Sequence, residues 1–116
     1  MIERQRAAST HTPARIRVAL PMHLQALAGT SSEVTVMVDD EEDGAVSARR
    51  LLDALESLHP ELGGTIRDRR SGARRAYLRY FAGKEDLSHE DPDDPLPSAV
   101  RSGEEPFRIL GAIAGG

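Results

Sequence analysis

The sequence predicts a small α+β domain, with one amphipathic helix packed across a mixed sheet of four or five strands. Segments that alternate or are rich in β-branched residues stand near both ends of the chain. A single strong helical stripe lies between them. At 116 residues there is room for one core and not comfortably for two.

The elements follow in order. Met1 to Ala14 carries Arg4 and Arg6 with no apolar run behind them, so it reads as a polar arm rather than a secretion signal. Ile16, Val18 and Leu20 alternate with Arg17 and Ala19, the period of a half-buried strand, and Pro21 ends it. Met22 to Leu27 is expected to form a short turn of helix. Glu33 to Val38 (EVTVMV) is a second strand, expected to pair closely with the first in a hairpin-like meander. The acidic run Asp39 to Asp43 is a turn.

Ser47 to His59 is the clearest helix. Ala48, Leu51, Leu52, Leu55 and Leu58 form one apolar stripe, while Arg49, Arg50, Asp53 and Glu56 lie off it. Ser47, or alternatively Asp43, supplies the N-cap, and Pro60 stops the helix at His59. Arg74 to Phe81 reads as a third strand whose inner face the pattern leaves open. Gly83 marks a turn. Asp86 to Glu105, with Pro92, Pro95 and Pro97, reads as a long solvated loop with room for a short strand, and Phe107 to Leu110 as the last strand.

Composition removes several functions. The net charge of -4 argues against nucleic-acid backbones and anionic membranes, and 3% aromatic residues give little base-stacking surface. No run of about 18 apolar residues spans a membrane. With no cysteine there is no thiolate zinc site and no Cys nucleophile; the lack fits a cytoplasmic protein. No phosphate-binding loop, dinucleotide fingerprint or zinc-protease motif occurs, and His11, His23, His59 and His89 show no metal spacing. Glu90, Asp91, Asp93 and Asp94 lack the spacing and central glycine of a calcium loop. The chain is poorly equipped to be an enzyme alone. Arg49 to Arg79 holds eight arginines against four acids, and Glu85 to Glu105 eight acids against Arg101. Such blocks read as solvated faces, with docking of an acidic partner as the alternative for the basic one.

The chain ends Gly111-Ala112-Ile113-Ala114-Gly115-Gly116. Six extended residues reach about 20 Å, and two terminal glycines carry no Cβ to block entry into a narrow channel. On its own this segment is read equally well as a frayed end.

Four segments together resemble the MoaD/ThiS family of ubiquitin-like sulfur carriers, on its MoaD side. They are IRVALP from Ile16, LLDALESLHPEL from Leu51, RRAYLRYFAGKEDL from Arg74 and FRILGAIAGG from Phe107. Gly111 departs from the proline usual in that family, Ala82 from an asparagine, and Lys84 stands as an insertion. The resemblance implies a ubiquitin-like β-grasp domain over residues 15–110, preceded by the arm 1–14 and followed by a Gly-Gly tail, 111–116. It implies that Gly116 is adenylated and then converted to a thiocarboxylate, with Gly115 providing clearance. ATP and magnesium would be held by a ubiquitin-activating-enzyme-like adenylyltransferase of the MoeB/ThiF type, so this chain needs no cofactor and is a co-substrate, not an enzyme. The implied acceptor is a synthase such as the large subunit of molybdopterin synthase; delivery to cysteine or another sulfur-containing metabolite is a close variant. A different class of reading is a protein modifier joined through Gly116 to target lysines, and a third is a plain interaction domain. Docking is expected on the outer sheet face, with Leu78, Tyr80, Phe81 and Phe107 as candidates for an apolar patch and the arginines as its rim. Each of the four is singly better explained as core.

Overall fold

The computed structural model describes residues 13–39 and 45–111. The expectations for the arm, for most of the acidic run, and for the tail with Gly115 and Gly116 fall outside the described residues.

Five strands form one mixed sheet: β1 (Ala14–Ala19), β2 (Glu33–Val38), β3 (Leu78–Ala82), β4 (Glu85–Asp86) and β5 (Phe107–Gly111). Their spatial order is β2-β1-β5-β3-β4. The first and last strands lie side by side and parallel at the centre, Val18 opposite Phe107 and Ala19 opposite Arg108. Antiparallel partners flank them on both sides. The central position follows from the pattern. Ile16, Val18, Phe107 and Ile109 are all fully buried on the same side of the sheet, and each such side chain contributes about 1.5–3 kcal/mol by leaving water.

The main helix α2 (Ala48–Leu58) covers that side. Its start is fixed by Ser47, whose side chain accepts from the Arg50 N–H at 3.2 Å. Leu51, Leu52 and Leu55 enter the core as the stripe requires. Leu58, the last stripe residue, is 54% exposed and stands outside the core. His59 closes the helix with its N–H on Leu55 O, and Pro60–Leu62 continues as one 3-10 turn that buries Leu62.

β1 and β2 pair over their whole length, from Ala14 with Val38 to Ala19 with Glu33. The link between them is not a tight turn. It holds the helix α1 (Met22–Ala28), which follows Pro21, buries Leu24 and ends at Gly29 in the left-handed region (φ 70°). The first strand starts at Ala14, a buried residue, one position inside the expected arm.

Two expectations need correction. β3 begins at Leu78, not Arg74. The Arg74 guanidinium turns back onto the carbonyls of Ser88, Arg75 and Leu78, and the Leu78 N–H bonds Arg75 O, which makes this stretch a turn. The inner face left open by the pattern is Leu78, Tyr80 and Ala82. The segment from Asp86 to Glu105 is not merely a solvated loop. β4 folds back on β3 through a two-residue turn with Gly83 at φ 60°, and a short helix α3 (Ser98–Arg101) follows. Leu87, Leu96 and Val100 are buried. The segment is tied to the start of α2 by Arg49 N–H to Pro92 O (3.0 Å) and Leu96 N–H to Val46 O (2.8 Å).

Candidate functional site

The strand that leads to the tail has a partner on each side. β5 lies between β1 and β3, and its pairing with β3 runs from Phe107 opposite Ala82 to Gly111 opposite Leu78. Phe107 is fully buried and its ring packs against Tyr80, centroids 5.2 Å apart and tilted by 47°. Gly111 is thus the last backbone position fixed by the ladder. Everything proposed for Gly115 and Gly116 is carried from that point.

The face of the sheet opposite α2 holds the alternate residues. Arg15 stands across from Met37, Arg17 from Thr35 and Ala19 from Glu33. Arg79 stands across from Leu110, and Phe81 across from Arg108. Of the four candidates for an exposed apolar patch, Leu78, Tyr80 and Phe107 are core, the better explanation of each taken singly, because they fall on the inner period of their strands. Phe81 alone is on the outer face, half-buried. The apolar surface there comes instead from Leu110, 36% exposed beside the last ladder position, and from Met37. The sequence carried this signal in the period-two positions of EVTVMV and FRIL, once the inner face was known.

Charge on this face is partly used up. Arg17 holds Glu33 through two bonds of 2.9 and 3.1 Å and reaches the carbonyls of Gly103 and Glu104. The hydrogen bond from Arg17 holds the Glu33 carboxyl below its ordinary pKa. Arg79 pairs with Asp86 at 3.4 Å. Arg15 and Arg108 make no ion pair among the described residues. The two open cations stand apart: Arg108 lies across from Phe81 near Leu110, and Arg15 across from Met37 at the other end of the strands. Arg108 with Phe81 and Leu110 suits an acidic partner with an apolar centre.

Much of the basic block is engaged in internal ties. Arg67 bonds Glu56 at 2.9 Å and also Asp53, which fastens the segment after Gly63 to α2. Arg75 bonds Gly64 O at 2.8 and 3.0 Å, and Arg49 bonds Asp93 at 2.6 Å. Arg69 bonds Gly63 O at 3.1 Å. Among the described residues no group of three or more His, Asp or Glu is arranged to hold a metal ion. No helix among them is long and apolar enough to cross a membrane.

No family model matches the chain, and no curated protein matches it in sequence. Solved structures do. The chain is similar to the small archaeal modifier protein SAMP1 from Haloferax volcanii, with 20% identity, 88% of this chain and 99% of that one covered, and a TM-score of 0.63. It is similar to SAMP1 from Methanosarcina acetivorans, with 17% identity, 90% and 99% covered, and a TM-score of 0.64. It is also similar to a chain of the BexX/CysO complex of Amycolatopsis orientalis, with 19% identity, 86% and 98% covered, and a TM-score of 0.62. At these identities the likeness is one of fold: the chain has the ubiquitin-like β-grasp fold that the four segments implied.

Proposed function

We propose that this β-grasp chain is a sulfur carrier of the MoaD/ThiS type, whose working group is the carboxylate of Gly116. A carboxylate is a poor electrophile because its leaving group would be oxide. Transfer of AMP from ATP gives an acyl-adenylate and releases pyrophosphate. A sulfur nucleophile then displaces AMP and leaves a thiocarboxylate. The domain over residues 15–110 is the grip, the segment 111–116 the tail, Gly115 the clearance residue, and residues 1–14 an arm. ATP and magnesium belong to a MoeB/ThiF-type adenylyltransferase, so this chain holds no cofactor of its own. The reactions belong to the cytoplasm, where ATP is available.

The observation that carries this reading is the placement of β5. A strand paired with β1 at Phe107 and Arg108 and with β3 as far as Gly111 sets where the proposed tail would begin, and the remaining five residues reach about 17 Å. The outer face beside that exit carries Leu110 and Arg108, a surface on which an activating partner docks. The fold likeness to a chain of the BexX/CysO complex supports a carrier that works bound to another protein. Molybdopterin formation, with the large synthase subunit as acceptor, is the pathway we favour; cysteine or another sulfur-containing metabolite is the variant.

A second reading is favoured by the likeness to small archaeal modifier proteins: conjugation of Gly116 to target lysines. Both readings share the adenylate and part at the nucleophile. Deleting Gly116, or adding one residue after it, is expected to abolish adenylation while circular dichroism and the urea midpoint stay unchanged. Normal adenylation of either variant defeats both readings. Conjugates shifted on a gel, without any thiocarboxylate, select the second.

A further inference from the structure

Between residues 85–97 and the start of α2 lies a cleft of about 330 Å³. Its floor is apolar and includes Ala48, Leu87, Leu96 and the ring of Tyr80. Its rim carries Glu85, Glu90, Asp91 and Asp94, all exposed. None of these four makes an ion pair among the described residues, whereas the neighbouring Asp93 is taken by Arg49 and Asp86 by Arg79.

Carboxylates close to a helix N-terminus are favourable by themselves, so the rim alone identifies nothing. Tyr80 is the second observation. It is 7% exposed, it lines the cleft, and it also lines an adjoining cavity of about 110 Å³ whose wall holds Arg49, Arg67 and Arg74 as well as Ser88 and Glu90, so the basic segment belongs in the cleft and not in that cavity. Its backbone N–H is satisfied by Ser88 Oγ at 2.9 Å, but its hydroxyl makes no hydrogen bond among the described residues. Burial pushes its pKa up to about 12, so near neutral pH the hydroxyl keeps its proton and is a donor. A buried donor without an acceptor is costly and calls for a partner from outside.

We propose that this cleft binds a basic, extended segment of a partner polypeptide. A lysine or arginine side chain meets the carboxylates of Glu85, Glu90, Asp91 and Asp94. Its aliphatic stem lies on Leu87 and Leu96, and a backbone carbonyl of the segment accepts from the Tyr80 hydroxyl. The volume is at the low end for a ligand site and suits one long side chain with the backbone that carries it. The sign of this cleft is opposite to that of the outer sheet face with Arg15 and Arg108, so the two surfaces sort partners by charge. The proposal is independent of the chemistry at Gly116.

The test is a titration of the isotope-labelled full chain with N-acetyl-Lys-Leu-Lys-amide, read by NMR, with N-acetyl-Glu-Leu-Glu-amide as control. Saturable shifts are expected at the amides of Leu87, Glu90 and Leu96 and at the Tyr80 ring. Tyr80→Phe keeps the ring and is expected to weaken binding about fivefold, the factor carried by one ordinary hydrogen bond. Glu90→Gln with Asp94→Asn, both surface changes, is expected to weaken it by about fivefold or more. No saturation up to about 10 mM peptide overturns the proposal. So does equal binding of the acidic control, or binding that ignores both variants. Binding gained only when residues 1–12 are removed also overturns it, because the chain's own arm is then the occupant. If Tyr80→Phe fails to fold, the carboxylate variant decides the matter.

Discussion

Replacing Arg67 by alanine tests whether the basic block is structural. The Arg67 side chain is 10% exposed, and it donates to Glu56 Oε2 at 2.9 Å, to Glu56 Oε1 at 3.3 Å and to Asp53. Burial works against its charge, but the hydrogen bonds it donates to Glu56 and Asp53 outweigh burial and raise its pKa. The two carboxylates differ in exposure, 22% for Glu56 and 63% for Asp53. The Asp53 bond is therefore screened and contributes about 0–1 kcal/mol. The Glu56 bond is charge-assisted and sheltered, and its loss costs about 1.5–3 kcal/mol. The sum for Arg67→Ala is about 1.5–4 kcal/mol, a fall of roughly 6–16 °C in Tm for a domain of this size. Arg67→Lys keeps the charge but not the planar fork, and should recover less than half of the loss. Urea unfolding followed by circular dichroism reads both variants. In Glu56→Ala the further cost of Arg67→Ala should shrink by about 1 kcal/mol or more. An Arg67→Ala protein within about 0.5 kcal/mol of the parent would refute the assignment of this block as an internal tie.

Other perturbations have equally definite outcomes. Phe107→Ala removes a fully buried ring packed on Tyr80 and should cost about 3–5 kcal/mol in urea unfolding; a cost below about 1 kcal/mol would contradict the position of β5. Gly83→Ala places a Cβ at φ 60° and 2.5 Å from a movable Glu105 oxygen, so the cost should be mostly conformational, about 1 kcal/mol. The acid limb of stability follows from Glu33, Asp68, Asp86 and Asp93. Hydrogen bonds, from Arg17, Ser71, Ser88 and Arg49 respectively, lower their pKa values. That contribution is complete above the ordinary carboxylate pKa and disappears as pH falls through the lowered values, so the urea midpoint should drop below about pH 4; a flat midpoint there would count against these pairs. Tyr80 sets an alkaline limb of opposite sign. Its pKa rises by burial from 10.0 to about 12, so its share is complete below pH 10.0 and lost as pH climbs to about 12. Tyr80→Phe should remove that loss.

Strands one and two, the main helix and its Ser47 cap were legible in the sequence because their periodicity is uninterrupted. The last strand was legible too, since Phe107 and Ile109 alternate with Arg108 and Leu110. The start of β3 was not. RRAYLRYF alternates as a strand does, but Arg74 finds three carbonyls within reach, which only tertiary structure reveals. The same holds for residues 86–105, where Leu87, Leu96 and Val100 are too far apart to show a period. Their burial depends on the segment being tied to the start of α2, by Arg49 N–H to Pro92 O and Leu96 N–H to Val46 O. On the outer face, pattern could not separate Phe81 from Leu78 and Tyr80 because the inner side of β3 was undecided. Once Leu78 and Tyr80 are placed inside, Phe81 and Arg79 must be outside. The role proposed for Gly116 rests on the register of its segment with three others.

The measurement that bears most directly on the central claim is the intact mass of the chain after incubation with candidate adenylyltransferases, ATP, magnesium and a sulfur source. The account predicts the gain expected when one oxygen is replaced by sulfur, located by fragmentation at Gly116. The same gain on any other residue, or an unchanged mass with an adenylyltransferase that binds the chain, would contradict it.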